Sequence, residues 1–225
     1  MVKPMYFTVS DVLQPADIEL VRSKSADLTW RDGRKTAGRT AQAVKSNLQA
    51  DLTSKAGEGL HDFLMKAINR HTLIQRLARP KRISRLLLSR TEGGGQYGAH
   101  VDNAIMGRGG PQLRTDLSFT LFLSDPESYE GGELTLMTPS GTFQAKPPAG
   151  TAILYPSGAL HEVRPVTSGS RLACVGWIES RIQRADQREV LYDLETVRDA
   201  FGQNASDQKL LLDKTISNLI RMWAS

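Results

Sequence analysis

The spacing of apolar residues changes twice along the chain. Through residues 1–80 it is mainly helical. Leu13-Gln-Pro-Ala-Asp-Ile-Glu-Leu-Val21 puts proline and acids in a first turn, with Ile18 and Val21 on one face, which suits a helix start. After the Gly57-Glu-Gly59 break, Leu60, Phe63, Leu64, Ala67 and Ile68 recur at three- and four-residue intervals and predict a second helix. The polar, glycine-containing stretch Trp30-Arg-Asp-Gly-Arg-Lys-Thr-Ala-Gly-Arg39 between them reads as a loop.

From Ile83 the texture becomes that of short strands: 83–90, 116–123, 133–138, 142–145, 151–155, 162–166 and 172–178. Leu117, Phe119, Leu121 and Leu123 alternate with other residues, the mark of a strand with one buried face. Turns at Tyr129-Glu-Gly-Gly132, Pro139-Ser-Gly141 and Thr167-Ser-Gly-Ser170 interrupt the runs. Many short strands at such intervals predict an antiparallel sandwich or barrel, with a jelly roll as its natural form. Beyond Arg181 the helical rhythm returns. Val190, Leu194, Val197 and Phe201 make one stripe and Leu212, Ile216, Leu219, Ile220 and Trp223 another, separated at Gly202-Gln-Asn204. The expected architecture is α+β: an N-terminal helical support region over 1–80, a jelly-roll core over 81–181, and a C-terminal helical hairpin over 182–225. That hairpin either caps the barrel or packs on a second copy of the chain.

Composition bounds this picture. The 225 residues, 40% of them hydrophobic, suffice for one substantial core. No run approaches the roughly 18 apolar residues of a membrane span, and Met1-Val-Lys-Pro4 does not open an apolar signal region, so the expectation is a soluble, cytoplasmic chain. In that compartment the Asn204-Ala-Ser206 sequon carries no meaning. Cys174 is the only cysteine and lies in an apolar run, which excludes an intramolecular disulfide and reads as packing. The net charge is +5, and residues 76–85 carry five basic side chains and no acid. No aromatic residue accompanies them to stack on bases, so the run reads as a solvated loop and nucleic acid is not the expected partner.

Four histidines are present. His61 and His71 sit in the helical region with no ligand set around them. His100-Val-Asp102 differs, because residues two apart on an extended segment point to the same side and can reach one metal ion. Alone the triplet is weak. His161 supplies a third candidate, 59 residues after Asp102, a separation that a jelly roll can close. Two histidines and one carboxylate on one face leave coordination positions open, which favours non-haem iron(II) over zinc or calcium. Arg171 opens the next apolar strand. A guanidinium there is costly without an anion, and its planar fork matches a carboxylate.

With these residues in order, the chain resembles the iron(II)/2-oxoglutarate dioxygenases of the prolyl hydroxylase type, and among them the bacterial PKHD-type hydroxylases. The resemblance runs through Trp30-Arg-Asp-Gly33, Thr36-Ala-Gly38, Val44-Lys-Ser-Asn47, Gln96-Tyr-Gly-Ala-His-Val-Asp-Asn-Ala104 and Arg114-Thr-Asp-Leu-Ser118. It continues in Glu130-Gly-Gly-Glu-Leu134, Pro148-Ala-Gly-Thr-Ala-Ile-Leu-Tyr-Pro-Ser157, His161-Glu-Val163 and Gly169-Ser-Arg171. It implies a double-stranded β-helix, iron(II) held by His100, Asp102 and His161, and the distal carboxylate of 2-oxoglutarate on Arg171. It also implies hydroxylation with O2, release of succinate and CO2, and L-ascorbate as reductant. Tyr97 resembles a position that lines the cosubstrate pocket. Gly131 and Gly132 read as a turn, and Gly93-Gly-Gly95 as a mobile lid or a plain connector.

The primary substrate stays open between prolyl or lysyl side chains, a small metabolite and an iron chelator. Arg39, Lys45, Arg108 and Arg114 would suit an anionic one if they are not merely surface charges. Two rival functions remain at this point: a cupin-like metalloenzyme that does not use 2-oxoglutarate, and an iron- and 2-oxoglutarate-binding sensor without turnover.

Overall fold

The computed structural model describes residues 6–36, 42–107, 110, 112–139, 141–202 and 206–225. Its strands, in chain order, are β1 (Phe7–Val9), β2 (Trp30–Asp32), β3 (Lys45–Ser46), β4 (Leu48–Ala50), β5 (Pro80–Ile83), β6 (Leu87–Glu92), β7 (Gln96–His100) and β8 (Ile105–Met106). There follow β9 (Leu113–Arg114), β10 (Leu117–Phe122), β11 (Tyr129–Gly131), β12 (Leu134–Thr138), β13 (Gly141–Ala145), β14 (Ala152–Pro156), β15 (Leu160–Val163) and β16 (Val166–Ser180). The helices are α1 (Pro15–Ala26), α2 (Lys55–Arg70), α3 (Thr72–Ala78), α4 (Ala185–Ala200) and α5 (Asp207–Trp223).

Two antiparallel sheets face each other. The larger runs β1-β14-β10-β16-β6-β4-β2, with β11 and β5 also paired to β16; the smaller runs β13-β12-β15-β7-β3. The alternating residues of β10 explain how they stack. Leu117, Phe119 and Leu121 point outward into a core shared with Leu60, Leu64 and Ile68 of α2 and Ile74 and Leu77 of α3. Ser118 and Thr120 point the other way, yet both are buried, because the smaller sheet covers that face. Sequence alternation therefore located the helix-covered face, and the polar positions opposite it line an interior cavity instead of meeting solvent.

Local chemistry sets the helix ends. Pro15 begins α1, and the Gln14 backbone N–H donates to Asp17 at 3.1 Å. The Ser54 hydroxyl accepts from Gly57 N at the start of α2, and Ser206 accepts from Lys209 N at the start of α5.

Several expectations require correction. The first 80 residues are not merely helical with loops, since β1, β2, β3 and β4 come from them and join the two sheets. The stretch read as a loop opens with β2, whose Trp30–Asp32 pairs with Leu48–Ala50; its residues 37–39 lie outside the described residues. The basic run is not a solvated loop: it covers the end of α3 and β5, and its charges are engaged. Arg79 Nη2 lies 2.8 Å from Glu195 of α4, Arg82 pairs with the buried Glu179, and Arg85 donates to the Leu52 carbonyl. The helical stripe on α4 is also misplaced, for Val190 and Val197 are exposed while Leu191 and Leu194 pack with Ile216 and Trp223 of α5. Among the described residues no helix is long and apolar enough to cross a membrane.

Leu64 is fully buried between α2 and the outer face of the large sheet. Leu64→Ala should cost about 2–5 kcal/mol of unfolding free energy, read by urea titration, through lost transfer energy plus the cavity left behind. Because the site lies on the other face, divalent-metal affinity should be unchanged.

Candidate metal centre and cosubstrate pocket

His100 ends β7 and His161 sits in β15, and strand pairing sets them directly opposite each other. Cross-strand partners share a face, so both imidazoles enter the same interior space. Asp102 follows two residues after His100. The ligand atoms of His100, Asp102 and His161 all lie within 4.8 Å of one another. His161 Nε2 is 3.7 Å and His100 Nε2 4.0 Å from the Asp102 carboxylate, and all three side chains are at least nine-tenths buried.

Both histidines are held in one tautomer. His100 Nδ1 faces the Gly98 carbonyl at 2.8 Å and His161 Nδ1 faces the Ala159 carbonyl at 2.9 Å. A carbonyl only accepts, so each Nδ1 carries the proton and each Nε2 lone pair points to the shared centre. Burial first, then the neighbouring His161, pushes the His100 pKa down, which keeps that lone pair available near neutral pH. The Asp102 carboxylate is oriented in turn. Ser118 Oγ lies 2.6 Å from Asp102 Oδ2 and 2.8 Å from Ser157 Oγ. With Ser118 donating its one proton to the carboxylate, Ser157 donates to Ser118.

A β-bulge adds Tyr97 to this group. Tyr97 pairs with Val163 and His100 with His161, so three steps along β7 match two along β15. In a regular strand, residues three apart face opposite sides; the extra residue restores them to one side. The Tyr97 ring therefore stacks on His100 with centroids 3.6 Å apart. Burial, followed by the Asp102 charge, pushes the phenol pKa up and keeps it a neutral donor.

Arg171 lies in β16 and is 1% exposed. Its guanidinium sits over the Phe122 ring at 4.9 Å. Two of its donors, Nε and Nη2, are buried with no hydrogen-bond partner among the described residues. Leaving charged donors unsatisfied in an apolar wall is expensive, and a carboxylate is the natural partner for that fork. Burial lowers the Arg171 pKa, though an arginine remains charged. Gly132 makes room for it: a Cβ there would come within 2.9 Å of Arg171 Cδ. Contrary to expectation, Gly131 is not in a turn but ends β11 at a register shift against β16, and Gly132 beside it leaves room for the guanidinium.

His100, Asp102, His161, Ser118, Tyr97 and Arg171 line one cavity of about 1190 Å³. Ligand cavities for drug-sized molecules span roughly 300–1,000 Å³, so there is room for more than a five-carbon diacid. Lys45, offered by the sequence with Arg39, Arg108 and Arg114 for an anionic substrate, also lines it. The side chain is 7% exposed, and its ammonium stands 4.7 Å above the Tyr97 ring. Desolvation pulls its pKa down to about 8, which still leaves it mostly protonated at neutral pH. Its burial in a strand facing β7 is a tertiary property that no local pattern encodes.

Other sequence candidates fall elsewhere. Arg114 forms a paired contact with Asp116 at 2.8 and 3.0 Å and donates to Ser180 O, so it belongs to the framework. Arg39 and Arg108 lie outside the described residues. His61 and His71 are spent on Asp62 and on the Ser10 carbonyl. The Gly93-Gly-Gly95 segment is no open lid: it is the tight β6–β7 turn, tied by Gly94 N to Val166 O at 2.8 Å and by Gly95 N to Glu92 O at 2.9 Å.

An open, two-histidine, one-carboxylate face beside a buried arginine inside a jelly roll is the constellation of an iron oxygenase that uses a keto diacid. Residues 86–179 match the family model of the 2OG-Fe(II) oxygenase superfamily, a span that takes in the three ligand candidates and Arg171. A PKHD-type hydroxylase of Hyphomonas neptunium is 46% identical over 219 residues, covering 96% of this chain and 98% of that one. Another, from Synechococcus elongatus, is 42% identical over 222 residues, covering 98% and 100%. The chain belongs to the PKHD-type hydroxylases of this superfamily and is a dioxygenase. The fold is shared with the viral collagen prolyl hydroxylase of Paramecium Bursaria Chlorella virus-1, with a TM-score of 0.56, 18% identity, and coverage of 79% of this chain and 97% of that one. It is shared too with HygX of Streptomyces hygroscopicus, with a TM-score of 0.53, 14% identity, and coverage of 76% and 81%.

Ser118→Ala removes the donor that orients Asp102. Divalent-metal affinity should fall about 10–100-fold, as for other groups that brace metal ligands. Titration with Mn(II) reads this directly, with circular dichroism confirming an intact fold.

Proposed function

We propose that His100, Asp102 and His161 hold one iron(II) ion and that Arg171 binds the distal carboxylate of 2-oxoglutarate, so that the chain hydroxylates a primary substrate with O2 and releases succinate and CO2. What carries the assignment is the buried Arg171, whose Nε and Nη2 have no hydrogen-bond partner among the described residues and which shares a cavity with the three ligand candidates. The donor set suits the metal as well, since two neutral imidazoles and one carboxylate on one side leave positions for cosubstrate and gas. Iron bound here would supply activation of O2 coupled to oxidative decarboxylation of the cosubstrate.

The remaining work falls to the chain. Arg171 orients the diacid by two parallel charge-assisted hydrogen bonds. Tyr97, a neutral phenol against His100, is placed to line the cosubstrate and to donate to one of its oxygens. The backbone carbonyls of Gly98 and Ala159 hold the imidazoles, and Ser118 holds the carboxylate, so little reorganisation accompanies metal binding. A cupin-like reaction without 2-oxoglutarate would leave the Arg171 fork unexplained, and an intact ligand set favours turnover over sensing.

We further assign L-ascorbate as auxiliary reductant, a small-molecule or peptidyl primary substrate, and a cytoplasmic setting without nucleic-acid or membrane partners, on the family resemblance. Residues 81–181 are taken as the catalytic core, completed by β1–β4 from 1–80, with the helices of 1–80 and the C-terminal hairpin 182–225 as flanking support. Exposed Val197, Leu210, Leu211 and Met222 on that hairpin would suit packing against a second copy.

His161→Ala should abolish iron(II) binding and 2-oxoglutarate turnover; full turnover in that variant would refute the ligand set. Arg171→Ala should retain metal binding while raising the 2-oxoglutarate requirement by roughly 10–100-fold, the weight of about 1.5–3 kcal/mol for a charged hydrogen bond. Succinate formation against cosubstrate concentration measures this, and an unchanged requirement would assign the distal carboxylate to another cation.

A further inference from the structure

A cavity of about 1190 Å³ keeps room for a primary substrate beside the metal and a five-carbon diacid. When that room is empty, the carbons left facing the oxygen-activating centre belong to the protein itself. A filled, closed site is what ordinarily keeps such side reactions down. Among the described residues that line the cavity, Tyr97, Met106, Tyr155 and Trp177 carry the electron-rich side chains.

These four are not equally placed. Tyr97 stacks on His100 with ring centroids 3.6 Å apart and planes 19° from parallel. His100 Nδ1 donates to the Gly98 carbonyl, so the other nitrogen, Nε2, is left for the metal, in the plane of the imidazole that this phenol covers. Tyr155 meets His161 only edge-on, at 5.0 Å, and is 4% exposed, so its ring is packed away. Trp177 is the register partner of Ser118 and thus one side chain removed from Asp102. Met106 belongs to the separate two-stranded β8–β9 sheet.

Tyr97 is also held where it is. It pairs with Val163 of β15 on one side and with Lys45 of β3 on the other, and the bulge that turns the phenol toward His100 is part of that pairing. Its backbone is fixed while its half-buried ring lines the open cavity. The chemistry of a phenol then selects the atom. The para carbon already bears the hydroxyl, and that hydroxyl enriches the two ortho carbons toward an electrophilic oxygen.

We propose that Tyr97 is a self-hydroxylation site: without primary substrate, the centre inserts oxygen into a C–H bond ortho to the Tyr97 hydroxyl and leaves a catechol. One atom of O2 enters between that ring carbon and its hydrogen as the new hydroxyl. The other enters the carboxylate of succinate as 2-oxoglutarate loses CO2. Two electrons come from the cosubstrate and two from the C–H bond, so O2 is fully reduced with no further reductant. The site rests on the iron and 2-oxoglutarate reading, and its test separates the two.

Full-length protein, loaded with iron(II) under argon, would receive 2-oxoglutarate, catalase and air, with neither primary substrate nor ascorbate. Intact-mass spectrometry should show a shift by the mass of one oxygen atom, and tandem spectra of a digest should place it on Tyr97. Isotope-labelled O2 should supply that atom. Omitting 2-oxoglutarate, replacing iron by zinc(II), or His161→Ala should each remove the shift. A second readout needs no turnover. With fluorotyrosine at every tyrosine, Mn(II) should broaden the Tyr97 fluorine signal, assigned by its loss in Tyr97→Phe, well beyond that of Tyr192 on α4, against a zinc(II) reference.

An unmodified Tyr97 in protein that binds both Mn(II) and 2-oxoglutarate would overturn the site. So would added oxygen on Met106, Tyr155 or Trp177 in place of Tyr97, its persistence without 2-oxoglutarate, or a Tyr97 signal as sharp as that of Tyr192. Failure to bind Mn(II) or 2-oxoglutarate at all would instead strike the metal-centre reading beneath it.

Discussion

Everything at the centre depends on how β7 lies against β15. His100 opposes His161 in that pairing, and a slip of one residue would turn an imidazole to the far side of the sheet. The bulge between this pair and the Tyr97–Val163 pair adds a second consequence. It turns Tyr97 to the same side as His100 and leaves the Gly98 carbonyl where His100 Nδ1 donates to it. Gly98 itself is pinned from behind, with its N–H on the Val44 carbonyl at 2.8 Å and no space for a Cβ beside Val44. One irregular turn of strand thus fixes a ligand's direction, its tautomer and the ring stacked on it.

The same cavity gathers charge where water is scarce. Arg171 is kept there by an aromatic floor, a glycine that gives it room, and neighbouring tyrosines and Glu133 whose fields favour its charge. These compensate only in part, since two donors stay unmatched among the described residues. A site with that deficit would hold an anion in one orientation, because the free energy recovered on binding is largest when both donors are met together.

Much of this was legible in sequence, and the reasons differ by element. The ligand candidates could be read because His-x-Asp on an extended segment has a geometric meaning, and because histidine is scarce here. The strand runs from 117 to 178 could be read because alternation is a local signal, although two of the expected glycine turns are strand: residues 129–131 form β11 and 167–170 lie inside β16. β2, β3 and β4 could not, since two- and three-residue strands are made by their partners and have no periodicity of their own. Lys45 was offered by the sequence beside Arg39, Arg108 and Arg114, but its burial could not be read, because that comes from pairing with Tyr97 of β7, close in contact and distant in sequence. The α4 stripe misled because Val190 and Val197 obey helical spacing while the face that packs is set by Leu191, Leu194 and the Arg79–Glu195 contact. The glycine run at 93–95 reads as looseness in composition, whereas its hydrogen bonds to Glu92 and Val166 make it a fixed corner.

The alternation of β10 and β16 also separates stability from chemistry within single strands. Phe119, Leu121, Cys174 and Ile178 face the helices, while Ser118, Thr120, Arg171 and Trp177 face the cavity. Burial of Cys174 in the helix-covered core pushes its thiol pKa up to about 12, which leaves it unreactive at neutral pH although it is only three residues from Arg171. Because a pleated strand presents neighbours to opposite sides, the outer face can be packed tightly by α2 and α3 without closing the space that metal, cosubstrate and substrate need. The polar inner positions would be a liability in an ordinary sandwich core. Here they are tolerated because the helix-side face of the same strands supplies the hydrophobic burial, and the cavity supplies partners for the groups left over.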